Sequence, residues 1–376
     1  MFFYDLCNDG EEITCLKSRL SNERVSSLTG RISTGREGKT QMFDESKCNR
    51  CGECFVRCHY VEYDQDRAVK EMEALIAGEP TEIVSLCATC IACNTYCPQD
   101  AHPFDLILQR QEETKAVQSP KGLALAQEWR DSPSEIVRGE PGRPVISLCV
   151  VDPLIPRMFE GRVYQGMTFL KGGDYFCHVG YCHMGLHSPI EPGVRQLVGN
   201  LARVGTEEIV FFHDECFAAV KSVAPAYGIN VPFRPVHIIT YLRDYVRDHR
   251  EEVRRLDLRA AYQQPCSSRY SMEKDPILDE LFELIGVERV ARKYDRQEAL
   301  CCDAPLVGFG QRERAIESSA RNIEDAKAYG AELMVFLCPM CTLRLRRPAR
   351  EAGLRPIHLS NLVRLALGEQ LPPETT

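Results

Sequence analysis

Apolar residues along this 376-residue chain recur with two periods. One is helical. In residues 63–77 the apolar positions Ala68, Met72, Leu75 and Ile76 follow i, i+4, i+7, i+8, which predicts an amphipathic helix ended near Gly78, with Pro80 beyond it. Residues 104–114 predict a second helix. Residues 192–204 predict a third, through Val194, Leu197, Val198, Leu201 and Val204, and 277–285 a fourth, behind the helix-starting pair Asp275-Pro276. The other texture is that of buried strands: short runs at 145–151, 174–178, 208–212 and 333–337. Residues 118–144, with prolines 120, 133, 141 and 144 and many charges, read mainly as a linker, with one short helix at 123–129. Strands alternating with helices beyond that linker predict α/β layering.

The α/β half repeats itself. Residues 205–216 read GTEEIVFFHDEC and residues 330–341 read GAELMVFLCPMC, which aligns His213 with Cys338 and Cys216 with Cys341 without a gap. Further on, RPVHI at 234–238 matches RPIHL at 355–359. Two copies of one unit are the economical reading.

Composition changes the picture at one point only. The chain is 27% charged and 44% hydrophobic, which is ordinary, but it holds 19 cysteines. The net charge of −8 argues against a nucleic-acid partner, and no apolar run approaches the length of a membrane span. The start, Met1 to Asp5, has no basic region or cleavage site of a secretory signal, so a cytoplasmic location with reduced thiols is expected. Reduced cysteines at this density point to metal.

Their spacing points to iron. Cys48, Cys51, Cys54 and Cys58 form C-x2-C-x2-C-x3-C, and Cys87, Cys90, Cys93 and Cys97 repeat it, followed by Pro98. This is the bacterial ferredoxin signature for two cubane [4Fe–4S] clusters, in which the fourth cysteine of each run serves the other cluster. The expected sets are Cys48, Cys51, Cys54 and Cys97, and Cys87, Cys90, Cys93 and Cys58. His59 replaces the proline after the first run. Structural zinc, with its four ligands, suits two such tandem runs less well. The helix predicted between the runs is foreign to a small ferredoxin folded on hairpins. The segment resembles the α-helical ferredoxin domain of succinate-dehydrogenase-like iron–sulfur subunits.

In the second copy, Cys266, Cys301-Cys302, Cys338 and Cys341 form C-x34-CC-x35-C-x2-C. Strand ends of an open α/β sheet can bring such loops together, and five thiolates exceed what zinc accepts. The pattern resembles the cysteine-rich CCG domain of heterodisulfide reductases and of the iron–sulfur subunits of glycolate oxidase and anaerobic glycerol-3-phosphate dehydrogenase. That resemblance implies an α+β multidomain chain: an extension (1–47), an α-helical two-cluster ferredoxin domain (48–117), a linker (118–144), a degenerate first CCG-like domain (145–258), a complete second one (259–368) and a tail (369–376). It further implies a noncubane [4Fe–4S] cluster on Cys266, Cys301, Cys302, Cys338 and Cys341. Here Asp303 stands at the glycine of CCG, adding bulk and a carboxyl that favours a lowered potential.

The first copy is incomplete. Cys149 stands for Cys266, and His213 and Cys216 for the closing pair, while both Cys177-His178 and Cys182-His183 fit the CC position. Three readings stay open: a metal with mixed His/Cys ligation (zinc or an unusual iron–sulfur site), a relic keeping only the fold, or a substrate or partner pocket. Cys7 and Cys15 have no context.

Weaker signals are set aside. Residues 33–40 end like a P-loop but lack its first glycine and preceding strand, and Gly308 and Gly310 lack the third glycine of a dinucleotide fingerprint. Arg344, Arg346, Arg347 and Arg350 fit a solvated helix face, as does the mixed-sign stretch 243–255. Tyr181, His183 and His187 are candidate proton donors. The expected function is an electron-transfer subunit of an anaerobic redox complex, with a flavoprotein or another donor or acceptor as partner. The alternative is a catalytic subunit cleaving a disulfide at the noncubane cluster. The catalytic residues of either are not identified by the sequence.

Overall fold

The computed structural model describes residues 43–155 and 157–371. Cys7, Cys15, the P-loop-like stretch at 33–40, most of the extension and residues 372–376 of the tail lie outside them.

The described residues of 43–117 contain helices and no strand. The predicted helix is Gln65–Ala77. The Asp64 carboxylate accepts a hydrogen bond from the Arg67 backbone N–H at 2.8 Å, and Gly78, left-handed at φ 76°, ends it. Ala68, Met72 and Leu75 are its buried face and pack towards the helix Pro103–Thr114. Gly52, inside the first cysteine run, has φ 74°, and a Cβ there would meet the Ala68 Cβ at 2.9 Å. The loop lies that tightly against the helix.

Two sheets follow. The first comprises β1 (Glu135–Val137), β2 (Val145–Cys149), β3 (Thr168–Lys171), β4 (Glu208–Phe211) and β5 (Arg234–His237), in the order β1-β3-β2-β4-β5. The second comprises β6 (Leu258–Gln263), β7 (Val287–Arg289), β8 (Leu333–Phe336) and β9 (Arg355–His358), in the order β7-β6-β8-β9. All pairings are parallel except β1 with β3. Without β1 the two orders are the same, and the register agrees as well: Val210 faces Val236 as Val335 faces Ile357. His237 and His358 play one part in both halves, each accepting at Nδ1 from the backbone N–H two residues on (Ile239 and Ser360, 3.1 Å) to cap the next helix.

The structure departs from expectation in three places. Residues 174–178 are no strand. They lie in a turn and loop, and the strand is β3, which ends before that run begins, because Gly172 (φ 100°) and Gly173 press against Pro133, Ser132 and Arg130 backbone, where a Cβ could not fit. The stretch 118–144 is more than a connection: it forms the helix Pro120–Arg130 and contributes β1, the antiparallel edge of the first sheet. In 243–255 the helix Ile238–Asp248 stops early, and Arg243 turns inward to Glu280 at 2.6 Å. By contrast, Arg346, Arg347 and Arg350 are exposed on the helix Pro339–Glu351, whose Cys341, Leu345 and Ala349 face the core.

The two halves pack directly. Asp214, buried in the first, accepts from Ser268 Oγ (3.0 Å) and pairs with Lys274 Nζ (2.9 Å), both in the second. The Lys274 ammonium, with His237 beside it, holds the Asp214 carboxyl far below the usual range despite burial.

Candidate metal centres around one cavity

Each cysteine group sits where backbone geometry presents it. In the helical segment, Cys48, Cys51, Cys54 and Cys97 line one small cavity, and Cys58, Cys87, Cys90 and Cys93 line another, with Cys54 between them. Cys97 thus lies with the first run's trio and Cys58 with the second's. Burial pushes the thiols of Cys54, Cys87, Cys90 and Cys93 well above their ordinary range. A bound cation offsets that cost, since ligation needs thiolates. The donor set fits iron–sulfur ligation on that ground.

In both sheets the cysteines gather beyond the carboxyl ends of the strands, where parallel α/β sheets open a crevice. Cys149 ends β2, His213 follows β4, Cys266 follows β6 and Cys338 follows β8. The two crevices face each other and share one cavity of about 540 Å³. Cys266, Cys301, Cys302, Cys338 and Cys341 line it from one side and Cys149, Cys177 and His213 from the other. Gly308 and Gly310 line it too. The Cys266 and Cys301 sulfurs lie 3.2 Å apart. The neighbouring Cys341 thiol and His213 draw Cys338 down to about 6 against the effect of burial.

In the first copy the sulfurs of Cys149, Cys177 and Cys216 lie within 4.8 Å of one another, all buried. Cys182 and His183 lie outside that trio. His183 meets Thr89 Oγ1 at 3.0 Å and Glu215 at 3.3 Å, at the cavity wall. His187 meets the Tyr227 hydroxyl at 3.2 Å, and Tyr181 packs on Phe176 and His178. Backbone conformation aligns this copy through His178, left-handed at φ 60° as Asp303 is at φ 62°, so Cys177 rather than Cys182 matches Cys302 and the CC position reads Phe176-Cys177. Phe176 then stands in the place of Cys301.

Asp303 is fully buried. Burial, with the Cys302 thiolate, raises its carboxyl to about 7, so it carries less charge than a free aspartate. Its Oδ1 accepts from the Tyr60 hydroxyl at 3.0 Å, and the Tyr60 hydroxyl oxygen in turn accepts from the Cys301 N–H at 2.9 Å. Arg269, buried, donates to the carbonyls of Cys90 (3.1 Å) and Ala299 (2.5 Å), and Glu298 pairs with Arg57 (2.5 Å) and His59 (3.0 Å). Tyr60, Arg269 and Glu298 join the second ferredoxin-type group to the five-cysteine loops. None has a spacing signal, because each acts across more than 170 residues of chain.

Residues 260–346 match the cysteine-rich CCG domain. The chain is 23% identical over 318 residues to one of the subunits of the fumarate reductase (CoM/CoB) of Methanothermobacter marburgensis, covering 77% of this chain and 62% of that one. It is 26% identical over 189 residues to one of the subunits of the dihydromethanophenazine:CoB–CoM heterodisulfide reductase of Methanosarcina barkeri, covering 46% and 44%. A solved hypothetical protein from Helicobacter pylori aligns with a TM-score of 0.49 at 13% identity, over 81% of this chain and 64% of that one. Residues 260–346 thus carry the cysteine-rich CCG domain, and the chain as a whole is similar to subunits of heterodisulfide-reductase-type and fumarate reductase (CoM/CoB) enzymes. It spans less than two thirds of the curated relatives it matches. Among the described residues no helix is long and apolar enough to cross a membrane.

Proposed function

We propose that the chain is an iron–sulfur electron-transfer subunit of a larger anaerobic oxidoreductase. Cys48, Cys51, Cys54 and Cys97 would hold one cubane, Cys58, Cys87, Cys90 and Cys93 a second, and Cys266, Cys301, Cys302, Cys338 and Cys341 a noncubane cluster, within two CCG-type copies at 145–258 and 259–368. When bound, these groups supply three one-electron stores in series. The supporting observation is the direct joint between the second and third groups, in which Arg269 spans the carbonyls of Cys90 and Ala299. The residues at that joint exclude water and keep the groups at a fixed separation. The partners, a flavoprotein or another donor or acceptor, and a cytoplasmic location belong to the same proposal. Iron and acid-labile sulfide on anaerobically purified protein test it. About twelve irons per chain are expected, and about eight would remove the third cluster.

The cavity favours a second reading, because its wall runs on past the five cysteines to Trp129, Met184 and Phe309, leaving an apolar face beside any group those cysteines hold. The relatives include a heterodisulfide reductase, and a disulfide fits this site: two electrons and two protons convert R–S–S–R′ to two thiols. His183, bonded to Thr89 and Glu215 at the wall, is placed to hold one of those protons. Turnover of a disulfide with a low-potential donor separates the readings. Rapid turnover by the isolated chain establishes the second and overturns the relay.

A further inference from the structure

We propose that Tyr60 is a positioning residue for the five-cysteine site: its hydroxyl, oriented by Asp303, takes the Cys301 backbone N–H away from the sulfurs and so lowers the reduction potential of the group they hold. This deepens the electron-transfer reading and rests on its noncubane assignment.

Elsewhere in the cysteine loops, backbone N–H groups point at sulfur. The Thr89 N–H donates to the Cys87 sulfur at 3.3 Å, and the Ala101 N–H to the Cys97 sulfur at 3.4 Å. The Cys58 sulfur accepts from the N–H groups of Tyr60 and Val61, and the Cys302 sulfur from that of Ala304. Cys301 is different. Its N–H donates to the Tyr60 hydroxyl oxygen at 2.9 Å, so the Cys266 and Cys301 sulfurs, 3.2 Å apart, go without that donor. A hydrogen bond to a ligating sulfur stabilises the reduced, more negative state of the group it serves, and its absence lowers the potential.

Proton count fixes the roles along this chain of bonds. An amide N–H can only donate, so the Tyr60 oxygen accepts from it, and the single hydroxyl proton is left for Asp303 Oδ1 at 3.0 Å. Asp303 is fully buried, and its backbone is left-handed at φ 62°, a conformation that glycine adopts freely and aspartate adopts at a cost. Glycine would suit that backbone better but would leave the Tyr60 proton without its acceptor. Tyr60 is anchored at its other end as well. Its N–H serves the Cys58 sulfur, and its carbonyl accepts from Arg314 at 3.0 Å. One residue thus touches a cysteine of the second group through its backbone and a cysteine of the third through its side chain.

The test uses the full chain, loaded with iron and sulfide and purified without oxygen, with potentials read by redox titration under paramagnetic resonance. Tyr60→Phe frees the Cys301 N–H. It is expected to shift the reduction equilibrium of the third group by about tenfold towards the reduced state, about 59 mV for one electron, and to move the other two groups by less than about threefold. Asp303→Asn keeps an accepting oxygen, tolerates the left-handed backbone and is expected to stay within about threefold of the parent. Asp303→Gly removes the acceptor and shifts the third group in the same direction as Tyr60→Phe. If Tyr60→Phe loses iron, Asp303→Gly carries the comparison. A shift in Asp303→Asn equal to that in Asp303→Gly overturns the proposal, because charge rather than the hydrogen bond would then set the potential. Electron–nuclear double resonance after exchange into deuterium oxide gives a second readout: Tyr60→Phe should show one more exchangeable proton coupled to the third group than the parent, and equal counts overturn the proposal. About eight irons in the unmodified chain refutes the noncubane assignment and the proposal with it, whereas about twelve irons with unmoved potentials refutes the proposal alone.

Discussion

Replacing Arg269 by methionine keeps much of the side-chain volume and removes the charge. Arg269 is 6% exposed, and its guanidinium donates to the carbonyls of Cys90 at 3.1 Å, Gln297 at 3.4 Å and Ala299 at 2.5 Å. Hydrogen bonds from charged donors contribute about 1.5 to 3 kcal/mol each, and a buried carbonyl left without a donor costs about 1 to 3 kcal/mol. Removing the charge also removes its own desolvation cost, so the net loss is about 2 to 4 kcal/mol rather than the sum. Burial opposes the charge, but the neighbouring Cys90 and Cys266 thiolates outweigh it and stabilise the guanidinium. The reciprocal effect falls on whatever those cysteines hold. A unit charge on the order of 7 Å away at an effective dielectric of about 20 contributes about 2 kcal/mol, or on the order of 100 mV for one electron. Loss of a positive charge disfavours the reduced, more negative state, so the potentials fall. Denaturant unfolding and a redox titration monitored by paramagnetic resonance check both numbers. A variant as stable as the parent to within about 0.5 kcal/mol, with unmoved potentials, refutes the assignment of Arg269 as the joint.

Tyr60→Phe deletes the one hydroxyl shared by Asp303 and the Cys301 N–H, and is expected to cost about 1 to 3 kcal/mol by denaturant midpoint; no change would mean water takes its place. Gly193→Ala puts a Cβ 2.0 Å from the His178 ring, so overpacking of about 3 kcal/mol should lower the melting temperature, and an unchanged one would show that the ring moves freely. Burial raises the Asp105 carboxyl from 3.8 to about 7, against the Asn94 hydrogen bond. Between those values the fold keeps it protonated while the unfolded chain is ionised, so stability falls as pH rises and levels off above about 7. Asp105→Asn should therefore gain on the parent by about 1.4 kcal/mol per unit from pH 5.5 to 7, within a total of about 4 kcal/mol, and a pH-independent difference contradicts this. Cys97→Ser and Cys58→Ser should each lose about four irons but different paramagnetic signals; loss of the same signal from both would overturn the crossed assignment.

Much of this architecture was legible because it is local. Asp64, the apolar positions of 65–77 and Gly78 specify a helix within fifteen residues, and the match of 205–216 to 330–341 reappears as equal strand order and register. The cysteine spacings were legible for the same reason, since each trio spans one loop. What was hidden is set by distance along the chain. Glycines 172 and 173 ended a strand early because of the backbone at Arg130, Ser132 and Pro133, and an edge strand lay inside a proline-rich stretch because β3 offered it a partner. The choice between Cys177 and Cys182 could not be made from spacing, as both pairs have the same composition. It was made by a left-handed residue, His178 at φ 60° matching Asp303 at φ 62°.

That correspondence also explains the shape of the site. A parallel sheet presents its functional loops at the carboxyl edge, so duplicating the unit and packing the copies together turns two edges towards one cavity. The first copy has Phe176 and His213 where the second has Cys301 and Cys338, and the wall stays closed, because Phe176 fills its position with an apolar ring, tilted against Trp129 with 5.9 Å between ring centres, and His213 turns one ring nitrogen towards Cys216 and the other towards Cys338. The eroded half therefore still shapes the chamber and still touches the complete half through the Cys338 sulfur. A symmetric pair of five-cysteine sets would place like charges on both walls; this chain places five thiols on one and two thiols, Cys149 and Cys177, with the His213 imidazole on the other. The chamber is polarised, and a ligand entering it meets the complete set on one side only.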